Sequence, residues 1–170
     1  MKKNFSQGFS LPEMLIYIVI LTLMLGVIIS MLTSMIRTER VAESSKAVEN
    51  AAIFGLDRIV RETRDASSVV VGSSVLDSNP GTLSLSGVDA LGNPKTVEFS
   101  LQQGVLHIKE NGTDKGALTE NKVTVTNLVF SLISNTNSKS IRTIMTVESG
   151  TSTTYKQETF YSTTVLRGSL

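Results

Sequence analysis

Between Glu13 and Arg37 the chain carries no charged side chain, which leaves 23 consecutive uncharged positions, Met14 through Ile36. At about 1.5 Å per residue a helix of that length runs roughly 35 Å, and the hydrocarbon core of a bilayer is about 30 Å thick. The stretch MLIYIVILTLMLGVIISMLTSMI is rich in Ile, Leu, Met and Val on every face, so it reads as a membrane span. Thr22, Gly26, Ser30, Thr33 and Ser34 are small residues of the kind that let helices approach closely in lipid. Lys2 and Lys3 precede the run, and the positive-inside rule places the N-terminus in the cytoplasm and Arg37 onward outside.

Composition then removes most other functions. The chain has 170 residues with 16 basic and 15 acidic side chains, a formal charge of +1 that fits neither a strongly basic nucleic-acid binder nor an acidic tail. It has no cysteine, which excludes disulfide scaffolds, thiolate zinc sites, iron–sulfur clusters and a cysteine nucleophile. Its single histidine, His107, leaves little room for His-based catalysis or a multi-His metal site. No Gly-x-Ser-x-Gly, phosphate loop or dinucleotide fingerprint is present. Neither an enzyme activity, a cofactor nor a metal is expected.

Two simpler membrane segments compete for the same run. A secretory signal peptide has an apolar region of about 7–15 residues followed by a small-x-small cleavage site. This run is longer and passes into a charged helical pattern without such a site. An ordinary signal-anchor is separated from the alternative by the junction Lys2-Lys3-Asn4-Phe5-Ser6-Gln7-Gly8-Phe9-Ser10-Leu11-Pro12-Glu13. A short basic leader ends in Gly8, Phe9 follows, and Glu13 is the only charge at the edge of the apolar run.

In Gly8, Phe9 and Glu13 the chain resembles the type IV prepilins, a family that includes the pseudopilins of type II secretion and competence systems. The resemblance implies cleavage after Gly8 and N-methylation of Phe9, both by a prepilin peptidase/methyltransferase. It also implies partners: other pilin or pseudopilin subunits, an inner-membrane assembly platform, and the lipid bilayer before assembly. Pro12 departs from the aliphatic residue usual there, yet the first helical turn has no internal use for its N–H groups, so proline costs little.

Glu13 supports two compatible readings. Ser10-Leu11-Pro12-Glu13 is a Ser-x-x-Glu capping box, and a carboxylate near a helix N-terminus suits the helix dipole. The family role is assembly: a carboxylate at the membrane boundary is costly alone and attracts the N-terminal amine of Phe9 on a neighbouring subunit. At about 4 Å and an effective dielectric near 20, that attraction is about 4 kcal/mol before desolvation.

After Arg37 the pattern turns amphipathic. Val41, Ser45, Val48, Ala52, Leu56, Ile59, Thr63 and Ala66 recur at helical spacing, with Ile53 and Val60 widening the stripe. Six basic and six acidic residues balance over 37–66, with Asp57–Arg61 and Arg58–Glu62 attractive and Glu39–Glu43 repulsive, a solvated face. No proline interrupts 13–66, so one helix ending near Ser67-Ser68 is expected.

Residues 67–170 carry eight basic and eight acidic side chains, a neutral head with which direct nucleic-acid binding is not expected. Short runs rich in Val, Thr, Ser, Ile and Phe predict strands at Val69–Leu76, Thr82–Leu85, Thr96–Leu101, Val105–Lys109, Lys122–Ile133, Ser140–Glu148 and Tyr155–Leu166. Turns are expected at Gln102-Gln103-Gly104, Asn135–Lys139 and Ser149–Thr153. The fold class is therefore α+β: a long N-terminal helix, transmembrane then amphipathic, packed on a largely antiparallel sheet. Four segments are expected: leader 1–8, transmembrane or filament-core helix 9–36, amphipathic stalk 37–66 and β-rich head 67–170.

Within the prepilins the head resembles the J-type minor pseudopilins and related minor pilins. The residues that carry this are Leu56 through Ala66, then Leu118-Thr119 before Val123 through Phe130, and the closing Thr163-Thr164-Val165-Leu166-Arg167. Minor subunits of that type sit near a filament tip. His107 is expected on a strand facing solvent, and Asp77-Ser78-Asn79 and Asn111-Gly112-Thr113-Asp114 read as turns rather than spaced calcium loops. Asn111-Gly112-Thr113 also fits a glycosylation acceptor, and Tyr155, Phe160 and Tyr161 read as core or as a binding patch. The expected function is a structural filament subunit that begins as a single-pass inner-membrane protein. The alternative is a membrane-anchored β-rich binding module outside any filament.

Overall fold

A computed structural model of the chain describes residues 10–135 and 138–167. One helix, α1, runs from Leu11 to Asp65 without a break. It starts where the Ser10 carbonyl accepts the amides of Glu13 and Met14 at 3.1 and 3.2 Å. The hydroxyls inside its apolar part bond back to their own helix: Thr22 to the Val19 carbonyl at 2.9 Å, Thr33 to Ile29 at 2.7 Å, and Thr38 to Ser34 at 3.0 Å. A polar side chain so satisfied exposes no free donor to an apolar surrounding. The helix stops at Asp65, short of the expected end, because Ala66 already belongs to a strand.

The chain divides into two compact units, Met1–Arg40 and Val41–Leu170. Within the first, every described residue is exposed, and this stretch holds the apolar part of α1, the one described helix long and apolar enough to cross a membrane.

The second unit is α+β. The strands are β1 (Ala66–Val69), β2 (Leu83–Val88), β3 (Pro94–Gln102), β4 (Val105–Glu110), β5 (Thr113–Ala117), β6 (Val123–Ser134), β7 (Lys139–Ser149) and β8 (Lys156–Val165). They form two antiparallel sheets, one in the order β1-β2-β3-β4-β5 and the other β6-β7-β8. A single sheet does not form: the chain leaves β5 for β6, and the two sheets touch where the Val125 amide donates to the Gly104 carbonyl at 2.7 Å.

Helix residues Val48, Ala51, Ala52, Gly55, Ile59 and Thr63 are buried in this unit. They share a core with Leu83, Leu85, Phe99 and Leu106 of the first sheet and Leu128, Phe130, Ile141 and Met145 of the second. Each such large side chain contributes roughly 1.5–3 kcal/mol by leaving water. The stripe is narrower than its spacing suggested. Ile53 is 60% exposed because it lies about 100° round the helix from Ala52, and Val41, on the face of Val48, is exposed because burial begins only at Val48. Gly55 lets the helix approach closely: a Cβ there would meet Leu106 Cδ2 at 3.0 Å.

Two segments differ from expectation. The run Val69–Leu76 is not a strand: after β1 a 3₁₀ turn occupies Val71–Ser73, and Val75 makes only a lone bridge to Thr82. A strand missing from the sequence reading, β5, follows Asn111-Gly112, whose φ values of 50° and 79° are both left-handed. That is the signature of a two-residue type I′ hairpin, and Gln103-Gly104 (φ 51° and 80°) is another. The Asn135–Lys139 turn lies partly outside the described residues, although the Asn135 amide donates to the Ser138 carbonyl at 2.9 Å.

Candidate functional site

The residues with a predicted role in processing stand at the chain's start. Gly8 and Phe9 lie outside the described residues. Glu13 is in the first turn of α1, exposed, and is the only charged side chain of the helix before Arg37. Its Oε2 accepts from the Ser10 backbone amide at 3.5 Å, one half of the expected capping box, at long range. Its Oε1 accepts from the Tyr17 hydroxyl, one helical turn on, also at 3.5 Å. Both bonds are at the outer limit of geometry. The carboxylate is thus oriented by its own helix and remains open to a stronger, charged donor.

The head holds a second cluster that spacing revealed only in part. Arg58 and Glu62 pair along the helix at 2.9 Å, as expected, but the Glu62 side chain is only 9% exposed rather than solvated. Lys95 of β3 also reaches Glu62 at 2.9 Å. Glu110 of β4 accepts from Arg58 at 3.1 Å and lies 3.7 Å from Lys95. Two cations and two anions close a ring that ties the last turns of α1 to the first sheet. The ring borders a polar cleft that also includes Asp65, Ser86, Asp89 and Arg167. Its charges are spent on one another, so it fastens the helix and leaves no charge unmatched for a ligand. The partners at 95 and 110 follow from sheet register, which no local spacing encodes.

His107 is on β4 but does not face open solvent. Its side chain is 22% exposed, and Nδ1 lies 3.2 Å from Asp114 Oδ2 across the β4–β5 hairpin. The Gly116 amide donates to Asp114 Oδ1 at 2.7 Å and, with His107 beside it, holds that carboxyl below the ordinary aspartate range. Asp89 is likewise lowered by the amide and side chain of Asn93, in the turn between β2 and β3.

The loop at Asp77-Ser78-Asn79 is a structural cover. Asp77 and Gly81 amides donate to the Phe130 and Leu128 carbonyls, each at 2.8 Å, and Asn79 Oδ1 accepts the Leu128 amide at 2.9 Å. Among the described residues no cluster of three or more metal-ligating side chains occurs. Of the three aromatics of the last strand region, Phe160 packs against the core, while Tyr155 and Tyr161 are exposed. The Tyr155 hydroxyl donates to Glu148 at 2.9 Å, which pushes its pKa up.

Residues 3–29 match the family described as the prokaryotic N-terminal methylation motif. The match contains Gly8, Phe9 and Glu13 and runs into the charge-free stretch. It supports a class III signal of the type IV pilin kind, and with it a pilin or pseudopilin precursor. Processing by a prepilin peptidase, anchoring in a membrane and assembly with other pilin subunits are what that motif implies. No curated protein and no solved structure matches the chain.

Proposed function

We propose that the chain is a minor, tip-located subunit of a type IV pilus or of a type II secretion pseudopilus. It inserts as a single-pass inner-membrane protein with residues 1–8 as a cytoplasmic leader and the head, 67–170, outside. Cleavage after Gly8 frees the amine of Phe9, which is methylated. Residues 9–36 then leave lipid for a filament core, where apolar helices cover one another, and 37–66 form the stalk on which the head is built. Glu13 pairs with the Phe9 amine of a neighbouring subunit, exchanging two weak bonds within its own helix for a charge-assisted one.

The observation that carries this reading is the methylation motif running without interruption into 23 charge-free residues. The test is mass. In cells with an active prepilin peptidase the mature chain should begin at Phe9 and carry one added methyl group; an intact Met1 terminus sinks the proposal.

A second reading rests on the bonds Glu13 makes to Ser10 and Tyr17, which suit a purely local, helix-starting role. It makes the protein a membrane-anchored β-rich binding module outside any filament. Glu13→Ala separates the two. A simple anchor tolerates the change with unaltered membrane levels, whereas a filament subunit loses at least tenfold of its incorporation into sheared filaments.

A further inference from the structure

Four strand borders close the two sheets, and three of them are blunted. β1 has four residues, and its register with β2 shifts between Ala66 and Ser68. β5 has five, carries Asp114 and Lys115, and its pairing with β4 shifts between Ile108 and Lys109. β6 is covered by the Asp77–Gly81 loop described above and bears a shift between Val125 and Asn127.

The fourth border, β8, is neither short, nor shifted in register, nor covered by a loop. It is ten residues long and pairs with β7 in unbroken register from Lys156↔Ser149 to Val165↔Ser140. It contains no proline, and its two charges, Lys156 and Glu158, pair with each other at its start, 3.7 Å apart. Among the described residues nothing hydrogen-bonds to its outer backbone side. A long edge in unbroken register, with no charge from Thr159 to Val165, is a template for another strand.

The side chains of β8 say which strand fits. Its exposed residues are Gln157, Thr159, Tyr161, Thr163 and Val165, with Tyr161 at the centre and a threonine two residues to each side. A two-fold axis normal to the sheet, passing beside Tyr161 on the outer side of the strand, brings a second β8 alongside in antiparallel sense. Tyr161 then lies beside Tyr161 of the other copy, and Thr159 lies opposite Thr163 twice over, all on one face. Aromatic and Thr–Thr cross-strand pairs are favourable ones. Glu158 falls opposite Thr164, and Lys156 lies beyond the overlap, so no like charges meet.

We propose that β8 is a self-association edge: a second copy of this chain adds its own β8, and the two three-stranded sheets become one of six strands. The contact is isologous, so it closes at two copies and does not propagate. It is therefore a state of the subunit outside the filament repeat, and it does not depend on Glu13. A Glu13→Ala chain still dimerises, which keeps this proposal separable from the filament reading.

The chain has no cysteine, so an introduced one is unique. Tyr161 is 64% exposed and Thr113 on β5 is also exposed, so replacing either leaves the core intact. In membranes bearing the full chain under mild oxidation, Tyr161→Cys should form a disulfide dimer at least tenfold faster than Thr113→Cys. Register is tested by Thr159→Cys and Thr163→Cys. Paired positions bring Cβ atoms to about 5 Å, whereas each residue lies roughly 13 Å along the strand from its own counterpart. Each variant alone should stay monomeric, and their co-expression should give the cross-linked pair. Equal rates for Tyr161→Cys and Thr113→Cys, cross-linking by either single threonine variant as fast as by the mixture, or a ladder beyond dimers overturns the proposal.

Discussion

Glu62 and Thr63 are sequence neighbours buried in the same helix, and they respond to substitution with opposite signs. Glu62 is held by Arg58 and Lys95, whose side chains remain 35% and 27% exposed. Removing the carboxylate leaves two cations sharing the one remaining carboxylate, Glu110, in a half-dry setting. Glu62→Ala should therefore lower stability by about 1–3 kcal/mol, below the full cost of orphaning a buried ion because water still reaches the cations. Thr63 Oγ1 is buried with no hydrogen-bond partner. Thr63→Val keeps the shape and deletes the unsatisfied hydroxyl, so it should raise stability by about 1 kcal/mol. Urea denaturation midpoints of the two variants check both signs. At this scale the sequence was half legible. The four-residue spacing of Arg58 and Glu62 disclosed their pairing, but burial and the reach of Lys95 and Glu110 depend on strands folding thirty and more residues away.

Among elements, legibility followed the strength of the local pattern. β6 and β7 carry alternating sets, Val123 and Val125 then Leu128, Phe130 and Leu132 in one and Ile141, Thr143, Met145 and Val147 in the other, and with β8 their expected spans fall within a residue or two of those observed. Val69–Leu76 was misread because a valine-rich run satisfies strand composition without alternation, and Gly72 within it sits in a 3₁₀ turn. β5 was missed for a different reason. Thr113-Asp114-Lys115-Gly116-Ala117 has no strand composition at all, and it pairs only because Asn111-Gly112 turns the chain back on β4. Asn-Gly between two runs is the strongest short-range hairpin signal, and reading it as a turn alone overlooked the strand that follows. Gly112→Val forces a β-branched residue to a φ near 79° and should cost about 1–2 kcal/mol. Amide exchange should rise over Thr113–Ala117 while the β2–β3 pairs stay protected. Equal protection of β5 in variant and parent counts against the turn as its cause.

Across the whole molecule, every residue of the buried apolar core lies at Val48 or beyond. The described part of Met1–Arg40 contributes none of it. A fragment beginning at Val41 should thus be soluble without detergent, elute as a folded species and unfold in one cooperative transition, as followed by circular dichroism. Aggregation, or a transition without cooperativity, counts against an independent core. The methylation motif was legible in sequence because it is linear: the match over residues 3–29 rests on order along the chain and needs no tertiary register. The ring of Arg58, Glu62, Lys95 and Glu110 was not, and it has a mechanical side. It grips the last turns of α1 from two adjacent strands of one sheet. Tension travelling along the helix reaches β3 and β4 as shear, with several bonds loaded at once. The helix end is riveted to the head and does not peel from it one contact at a time.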